Sequence, residues 1–144
     1  MPTATGAELS LFEIEFPAMG TRCSLSLFAT TQEVARTMAE PVIADVTRLE
    51  AKYSRYKKNS FLSAINRTAE QGGSIEVDSE TAALLDYAHA CYEESDGLFD
   101  ITSGLLRRAW NFQPEGQTQL PDAGELAELL TRVGWEKIEW KQPR

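Results

Sequence analysis

Three short segments of the sequence combine residue types that could bind a small ligand. Residues 19–21, Met-Gly-Thr, lie between two alternating apolar segments, and a glycine there lets a ligand come close to the backbone. Residues 54–60 join two predicted helices, and their bases, hydroxyls and helix N-terminus suit a phosphate, while Tyr56 offers a planar face to a ring. Residues 97–104 include Asp100, whose carboxylate can accept hydrogen bonds from the polar edge of a ligand.

Each segment also has a plainer structural interpretation. Residues 19–21 can form an ordinary hairpin turn, and residues 54–60 can be a charged loop between helices. Asp100 or Thr102 can cap the N-terminus of a short helix. Tyr56 follows the last apolar position of the preceding helix by three residues, so its position alone fits a buried site or the rim of a pocket, and the polarity of the loop favours the rim. No single segment decides between these alternatives.

Charge and composition exclude several classes of function. The 144 residues carry 22 acids and 14 bases, a net charge of −8, which opposes binding to nucleic acid. Residues 48–67 nevertheless hold six bases and one acid, a patch that can attract a small anion or simply be solvated. The single histidine, His89, borders an apolar stripe and is interpreted as a packing residue. With two cysteines, Cys23 and Cys91, and one histidine, the usual zinc cage cannot be built.

The sequence contains no predicted membrane span, since no stretch approaches ~18 consecutive uncharged apolar residues. Residues 1–10 lack both a basic start and an apolar run, so they do not resemble a secretory signal. We therefore expect a cytoplasmic protein, or a periplasmic one if a signal was removed before this numbering begins. Residues 1–8 are expected to be flexible.

The elements that would position the three segments follow from periodicity. Alternating apolar residues predict two strands over residues 12–16 and 21–28, joined as an antiparallel hairpin. An apolar stripe predicts one helix over residues 31–53, kinked at Pro41. The members of this stripe are Val34, Met38, Val42, Val46, Leu49 and Tyr53.

The remaining sequence predicts a mixture of short helices and strands. A helix over residues 60–67 has Ser60 as its N-cap, and a short strand follows at residues 74–77. The next helix begins at Asp78 or Ser79, carries Leu84, Leu85, Ala88, Cys91 and Tyr92 on its apolar face, and ends with Gly97 at C′. The chain continues with a short helix within residues 99–111 and a loop over 113–120. It ends with a helix over 121–133 and a strand over 135–140. The residues of this last helix that are predicted to face inward are Leu126, Leu129, Leu130 and Val133. These elements predict an α+β class, with antiparallel hairpin strands packed on helices in a single domain over residues 1–144.

Taken in order, the motifs resemble the bacterial ApbE family. The resemblance rests on Met-Gly-Thr at 19–21, on Ser54-x-Tyr56 followed by Asn59-Ser60 and Ile65-Asn66, on Gly97-x-Phe99-Asp100-Ile101-Thr102 with Gly104-Leu105-Leu106 and Trp110-Asn111-Phe112, and on a helix ending in Val133-Gly134-Trp135. It covers nearly the whole chain, from Phe16 to about Ile138.

The resemblance implies a fold, an activity and a set of site residues. Family members are FAD:protein FMN transferases, once described as thiamine biosynthesis lipoproteins. With Mg²⁺ they transfer FMN from FAD to a threonine of a target flavoprotein, and AMP leaves. Carried over residue by residue, the resemblance implies that Met19, Tyr56, Leu98, Phe99 and Asp100 contact FAD.

The sequence departs from the family in two places. Leu105 stands where the family usually has proline. Family members are about twice this length, and they continue with an Asp-x-Gly-Gly segment, metal ligands and a catalytic polar residue, which residues 1–144 do not contain. The Mg²⁺ ligands are therefore expected mostly outside this chain, and no catalytic residue is assigned within it.

The functional expectation therefore has three forms. The chain is an FAD:protein FMN transferase that is incomplete by itself, a non-catalytic FAD-binding or interaction module, or a truncated fragment. The expected partners are a target flavoprotein and either a second chain or another copy, since apolar surface near Trp135 and Trp140 is expected to be uncovered.

Overall fold

The computed structural model describes residues 8–110 and 120–141. The chain forms two compact units, Met1–Ile75 and Glu76–Arg144. A two-stranded antiparallel sheet combined with helices confirms the predicted α+β class. The single domain over residues 1–144 stays a prediction. The expected flexibility of residues 1–8 and the expected loop over residues 113–120 lie almost entirely outside the described residues.

The first unit begins with the predicted hairpin. Strand β1 (Ser10–Ala18) pairs with strand β2 (Thr21–Ala29) in antiparallel register. Successive side chains of a strand point to opposite faces, and here one face is half-buried while the other is exposed. The half-buried cross-strand pairs are Phe12 with Leu27, Ile14 with Leu25, and Phe16 with Cys23.

Helix α1 (Gln32–Tyr53) follows the hairpin and contacts both strands. Its start is fixed by Thr31, whose side chain accepts a hydrogen bond from the backbone N–H of Val34 at 3.2 Å. Pro41 lies inside the helix, as predicted. The prediction of one helix through Pro41 is therefore confirmed, and the kink at Pro41 stays a prediction.

The face that α1 buries differs from the predicted stripe. Ala35 and Ala39 are completely buried, whereas three members of the predicted stripe are exposed by 43 to 51%. Those three are Val34, Met38 and Val42. Neighbouring helix positions differ by about 100° around the axis, so burying the alanines turns these larger residues outward. Alanine side chains allow a close approach to the hairpin, and this steric advantage outweighs the apolar content of the predicted stripe.

Helix α2 (Phe61–Gln71) begins at the predicted cap, Ser60. It runs four residues further than predicted. The strand predicted over residues 74–77 is wrong, because residues 72–78 have no regular secondary structure. Ile75 and Val77 are half-buried between exposed neighbours. The alternation therefore predicted burial correctly, but a strand also needs a hydrogen-bonding partner, and the described sheet contains only β1 and β2.

The second unit begins with helix α3 (Ser79–Glu94), capped by Asp78, one of the two predicted caps. At its C-terminus the N–H of Asp96 donates to the carbonyl of Glu93, and the N–H of Gly97 donates to that of Tyr92. This pair of bonds is a Schellman motif. Its C′ residue is Asp96 with φ +51°, so the prediction of Gly97 at C′ is wrong by one residue. Aspartate tolerates this left-handed conformation better than most residues.

The other helices in the described part of the second unit are short. A 3₁₀ helix spans Ile101–Arg108, α4 spans Ala123–Leu130 with Asp122 as its cap, and a 3₁₀ turn spans Trp135–Lys137. Helix α4 is shorter at both ends than the predicted range. Leu84 and Leu130, both predicted to face inward, are each 48% exposed.

The strand predicted over residues 135–140 is also wrong. The N–H of Ile138 donates to the carbonyl of Trp135 at 2.9 Å and closes a turn instead. Trp135 is only 6% exposed, and the indole N–H of the half-buried Trp140 donates to Asp86 at 2.7 Å. The two tryptophans themselves are therefore covered, but Ile138 between them is 40% exposed, so the uncovered apolar surface expected in this region stays a prediction.

Candidate functional site

The tip of the hairpin is a two-residue turn with an unusual backbone. Met19 has φ +54° and Gly20 has φ +72°, the signs of a type I′ turn, whose right-handed twist matches that of the strands. Such a φ at a side-chain-bearing residue costs about 1–2 kcal/mol. Met19 is also 63% exposed. Strained, exposed residues of this kind concentrate at ligand sites.

An open recess of about 340 Å³ lies beside this tip. It is lined by Pro17, Ala18, Gly20 and Thr21 from the hairpin and by Glu50 from α1. Glu50 is half-buried, and sequence reasoning missed it. The only sequence signal was its position beside Leu49 on the apolar side of α1.

The loop over residues 54–60 is held together by its own hydrogen bonds. The hydroxyl of Ser60, a residue only 4% exposed, donates to the carbonyl of Ser54 at 2.6 Å and accepts from the N–H of Ser63 at 3.0 Å. The carbonyl of Lys57 accepts from the N–H of Ser60 and from the hydroxyl of Ser63. The predicted cap is thus confirmed. The hydroxyls that could have suited a phosphate are engaged within the loop.

This rigid loop leaves Tyr56 74% exposed. The guanidinium of Arg55 lies 5.1 Å from the centre of the Tyr56 ring and donates to its phenol oxygen at 3.0 Å. Of the two interpretations of Tyr56, the structure therefore favours an exposed position over a buried one. An exposed aromatic ring on a fixed backbone is suited to stacking against a planar ligand.

In the second unit, Leu98 and Phe99 form an exposed apolar pair after the Schellman motif. Leu98 is 92% exposed and Phe99 47%. Their backbones are nevertheless fixed, since the N–H of Leu98 donates to the carbonyl of Ser95 at 3.1 Å and the N–H of Phe99 donates to its hydroxyl at 2.9 Å.

Asp100 caps the 3₁₀ helix and also reaches a distant turn. One carboxylate oxygen accepts from the N–H of Thr102 at 2.7 Å, which confirms the capping interpretation. The other oxygen accepts from the N–H of Trp135 at 3.1 Å. The hydroxyl of Thr102 in turn accepts from the N–H of Gly134 at 2.8 Å. Sequence reasoning missed this connection, because no local pattern links positions 32 to 35 residues apart.

Aromatic contacts surround the same turn. The rings of His89 and Trp135 are stacked at 5.5 Å, which supports the packing role predicted for the histidine. The phenol of Tyr92 donates to Glu136 at 3.5 Å. Desolvation raises the pKa of Tyr92, and the nearby carboxylates of Glu136 and Asp100 raise it further. Tyr92 therefore stays protonated and acts as a donor at neutral pH.

The five residues predicted to contact FAD fall into two sets. Met19 and Tyr56 lie in the first unit, and Leu98, Phe99 and Asp100 lie together in the second. Among residues 8–110 and 120–141, no group of three or more His, Cys, Asp or Glu side chains could hold a metal. None of the described helices is long and apolar enough to cross a membrane.

This α+β arrangement is the fold of the ApbE flavin transferases. The crystal structure of the ApbE protein of Thermotoga maritima matches with a TM-score of 0.74 and 30% identity, over 92% of this chain and 42% of that one. The flavin transferase ApbE of Vibrio cholerae shares the fold with a TM-score of 0.70 and 22% identity, over 94% and 44%.

The sequence relates the chain to one family. It matches the ApbE family over residues 19–144, and the chain belongs to that family. It is 33% identical to the FAD:protein FMN transferase of Haemophilus influenzae over 109 residues, 75% of this chain and 31% of that protein. It is 30% identical to the enzyme of the same name from Chlamydia pneumoniae over 94 residues, which are 65% of this chain and 29% of that protein. The chain thus spans about a third of the length of these two relatives, and the predicted family is confirmed.

Proposed function

We propose that this chain provides part of the FAD-binding site of an FAD:protein FMN transferase. The identity with the Haemophilus influenzae enzyme, over three quarters of this chain, carries the proposal. The exposure of Met19, Tyr56, Leu98 and Phe99 supports it, since residues that meet a ligand must be accessible before it binds. FAD is the substrate of this reaction and donates FMN.

The proposed contacts suit the two kinds of surface that FAD presents. Stacking of a ring on an aromatic side chain contributes about 1–3 kcal/mol for nucleic-acid bases, and the exposed ring of Tyr56 can stack similarly on a ring of FAD. The five net positive charges of residues 48–67 lower the cost of bringing a pyrophosphate to a chain of charge −8. Asp100 retains acceptor capacity beyond its two backbone bonds.

The proposed reaction forms a phosphoester with a threonine of a target flavoprotein. The threonine oxygen bonds to the FMN phosphorus, the bond to the AMP oxygen breaks, and the hydroxyl proton is lost. No step is assigned to Mg²⁺, since the described residues contain no group of three or more His, Cys, Asp or Glu side chains that could hold a metal. We propose that residues 1–144 alone do not transfer FMN, because the Asp-x-Gly-Gly segment to which the resemblance assigns metal binding does not occur in them.

A binding experiment tests the FAD contacts. We expect Tyr56→Ala to weaken FAD binding about tenfold, the loss of one stacking contact. Tyr87→Ala is the matched control, because Tyr87 is an equally exposed tyrosine, at 70% against 74%, on helix α3. The measurement is the change in protein NMR shifts during FAD titration, which resolves millimolar affinities. Equal affinities for both variants would refute the role of Tyr56.

A transfer experiment separates an enzyme from a binding module. In a chimera, residues 19–141 of this chain replace the matching segment of the Haemophilus influenzae transferase. Flavin attached to an acceptor protein is then detected by its fluorescence in a denaturing gel. Labelling by the chimera but not by residues 1–144 alone supports a transferase. FAD binding without labelling by the chimera supports the non-catalytic module instead, and labelling by residues 1–144 alone refutes the proposed incompleteness.

Two further expectations belong to this proposal. The exposed Val34, Met38 and Val42 on α1 favour association of the isolated chain with another copy, which light scattering would detect as a mass above 16.0 kDa. We also propose a cytoplasmic location, or a periplasmic one after removal of a leader. Cell fractionation distinguishes these two compartments.

A further inference from the structure

Three hydrogen bonds connect the start of the 3₁₀ helix to the turn at residues 134–135. They are Thr102 N–H to Asp100, Trp135 N–H to Asp100, and Gly134 N–H to the hydroxyl of Thr102, with lengths of 2.7, 3.1 and 2.8 Å. We call this set the clasp. Two of the three bonds involve a carboxylate, and charge-assisted bonds are roughly twice as strong as neutral ones.

The clasp is one of two attachments of the segment that carries Leu98 and Phe99. On its N-terminal side, the Schellman motif and the bonds to Ser95 hold the backbone. A Cβ atom added at Gly97 would lie 3.4 Å from the ring of Tyr92, so the ring packs against the backbone of Gly97 and limits its movement. On its C-terminal side, the clasp holds Asp100. A segment of two residues with both ends fixed has little freedom to reorient.

The far side of the clasp is itself firmly placed. Gly134 and Trp135 are both buried, and the Trp135 indole stacks on His89 of α3. The clasp therefore links the exposed segment that carries Leu98 and Phe99 to Trp135, a packed residue of the core. Without it, two buried backbone N–H groups would lose their acceptors, which is costly.

We infer that Asp100 and Thr102 are positioning residues that hold Leu98 and Phe99 outward as a preformed apolar surface for a ring of FAD. This inference rests on the proposed function. It gives Asp100 a role in addition to the proposed contact with FAD, since two acceptor sites of its carboxylate bind backbone N–H groups. A preformed surface binds more tightly because less freedom is lost on binding.

The central test uses Thr102→Val, which keeps the side-chain shape and removes the hydroxyl. We expect the Kd for FAD to rise about tenfold, and Thr102→Ser to restore affinity. Thr131→Val is the matched control, because the Thr131 hydroxyl donates to the backbone carbonyl of Glu128 in the same unit but outside the clasp. Affinity is read from the NMR shifts of Leu98 and Phe99 in the 144-residue chain. Amide hydrogen exchange at Gly134 independently reports whether the bond of the clasp from Gly134 to Thr102 is lost.

A double-mutant cycle distinguishes positioning from a general structural effect. If the clasp acts through the apolar pair, Thr102→Val should have little effect on the Kd once Phe99 is already alanine. A tenfold effect that persists in the Phe99→Ala background refutes the inference. The inference is also refuted if Thr102→Val leaves the Kd for FAD unchanged although the amide hydrogen of Gly134 exchanges faster than in the wild type.

Remaining outcomes are also decisive. If Thr102→Val does not fold, Asp100→Asn replaces it, since an amide keeps one acceptor oxygen and loses the other. If FAD shifts the signals of Tyr56 but none in residues 97–100, the inference is wrong and the proposed function stands. If FAD shifts no signals in the wild-type chain, the titration is repeated with the Haemophilus influenzae chimera, and the absence of shifts in residues 19–141 there refutes both.

Discussion

Replacing Gly134 with alanine tests how strongly the second unit depends on its buried turn. Gly134 has φ +147°, a region that L side chains rarely adopt, and holding another residue there costs about 1–3 kcal/mol. A methyl group at this position would also collide with the carboxylate of Glu136. Glu136 is exposed and can rotate away, but its bond with Tyr92 would then be lost.

Relaxation of the backbone offers no cheaper solution. If the turn shifts to give alanine a common φ, the N–H of Gly134 leaves the hydroxyl of Thr102, and a buried donor without an acceptor costs about 1–3 kcal/mol. Either response predicts a loss of about 2 kcal/mol in the free energy of unfolding. With a urea dependence of about 2 kcal/mol per molar, the unfolding midpoint falls by about 1 M.

Tryptophan fluorescence is a selective assay for this change, because Trp110, Trp135 and Trp140 are the three tryptophans of the chain and all lie in the second unit. Gly104→Ala is the matched control. An added methyl at Gly104 meets nothing within 4 Å, and its φ lies outside the positive range, so its stability should stay within about 0.5 kcal/mol of wild type or rise slightly.

A second variant separates the two causes. Adding Glu136→Ala to Gly134→Ala removes the collision and leaves the backbone conformation, so a loss of at least about 1 kcal/mol should remain. A Gly134→Ala midpoint indistinguishable from that of Gly104→Ala would refute the reasoning. Full recovery in the double variant would assign the whole cost to the collision.

The other predictions concern a cap, a packing position and a titration. Ser60→Ala should lower stability by about 1–2 kcal/mol, since it removes the acceptor for Ser63 and a donor, as measured by urea unfolding followed by circular dichroism. Ala39→Leu should lower the free energy of unfolding by about 1–3 kcal/mol in the same assay, because Ala39 is completely buried and the larger side chain would overpack its site. Because the pKa of Tyr92 is raised in the folded state, its contribution to stability is complete below about pH 10 and is lost as pH rises through the folded pKa. Tryptophan-detected unfolding across this range should show a smaller loss in Tyr92→Phe.

Each of these variants has a control that lacks the relevant contact. Ser103→Ala removes an exposed hydroxyl, and Ala51→Leu adds the same atoms to an exposed position of α1, so both should change stability by at most about 0.5 kcal/mol. Tyr87→Phe is the control for Tyr92→Phe, since it removes the hydroxyl of an exposed tyrosine on α3. Equal losses in Ala39→Leu and Ala51→Leu would contradict the burial of α1 described here, and equal losses in the two serine variants would contradict the cap.

Local patterns in the sequence determined much of the fold. The hairpin register follows from strict alternation, and the starts of the helices follow from Ser60 and Asp78, because a capping side chain bonds to an N–H only two or three residues away. Such interactions depend on neighbours in sequence, so they can be predicted without knowing the rest of the molecule. The family motifs are equally local, since Met19, Tyr56 and residues 98–100 each lie within a short run of characteristic residues.

Tertiary structure decided which apolar face is buried and which segments become strands. The choice between the alanine face of α1 and the face with Met38 depends on how closely the helix approaches the hairpin. Residues 74–77 and 135–140 have strand-like composition, but pairing is a property of two segments rather than one.

The same distinction applies to Asp100. Its sequence context predicts the bond to Thr102, which lies two residues away, but not the bond to Trp135, which lies 35 residues away. The second bond exists only because the chain brings α4 and the following turn back to the 3₁₀ helix. Sequence by itself therefore determined which residues are candidates for ligand contact. Only the tertiary structure decided that Asp100 also anchors the loop, because the hydrogen bond that does so joins residues that are distant in sequence and adjacent in space.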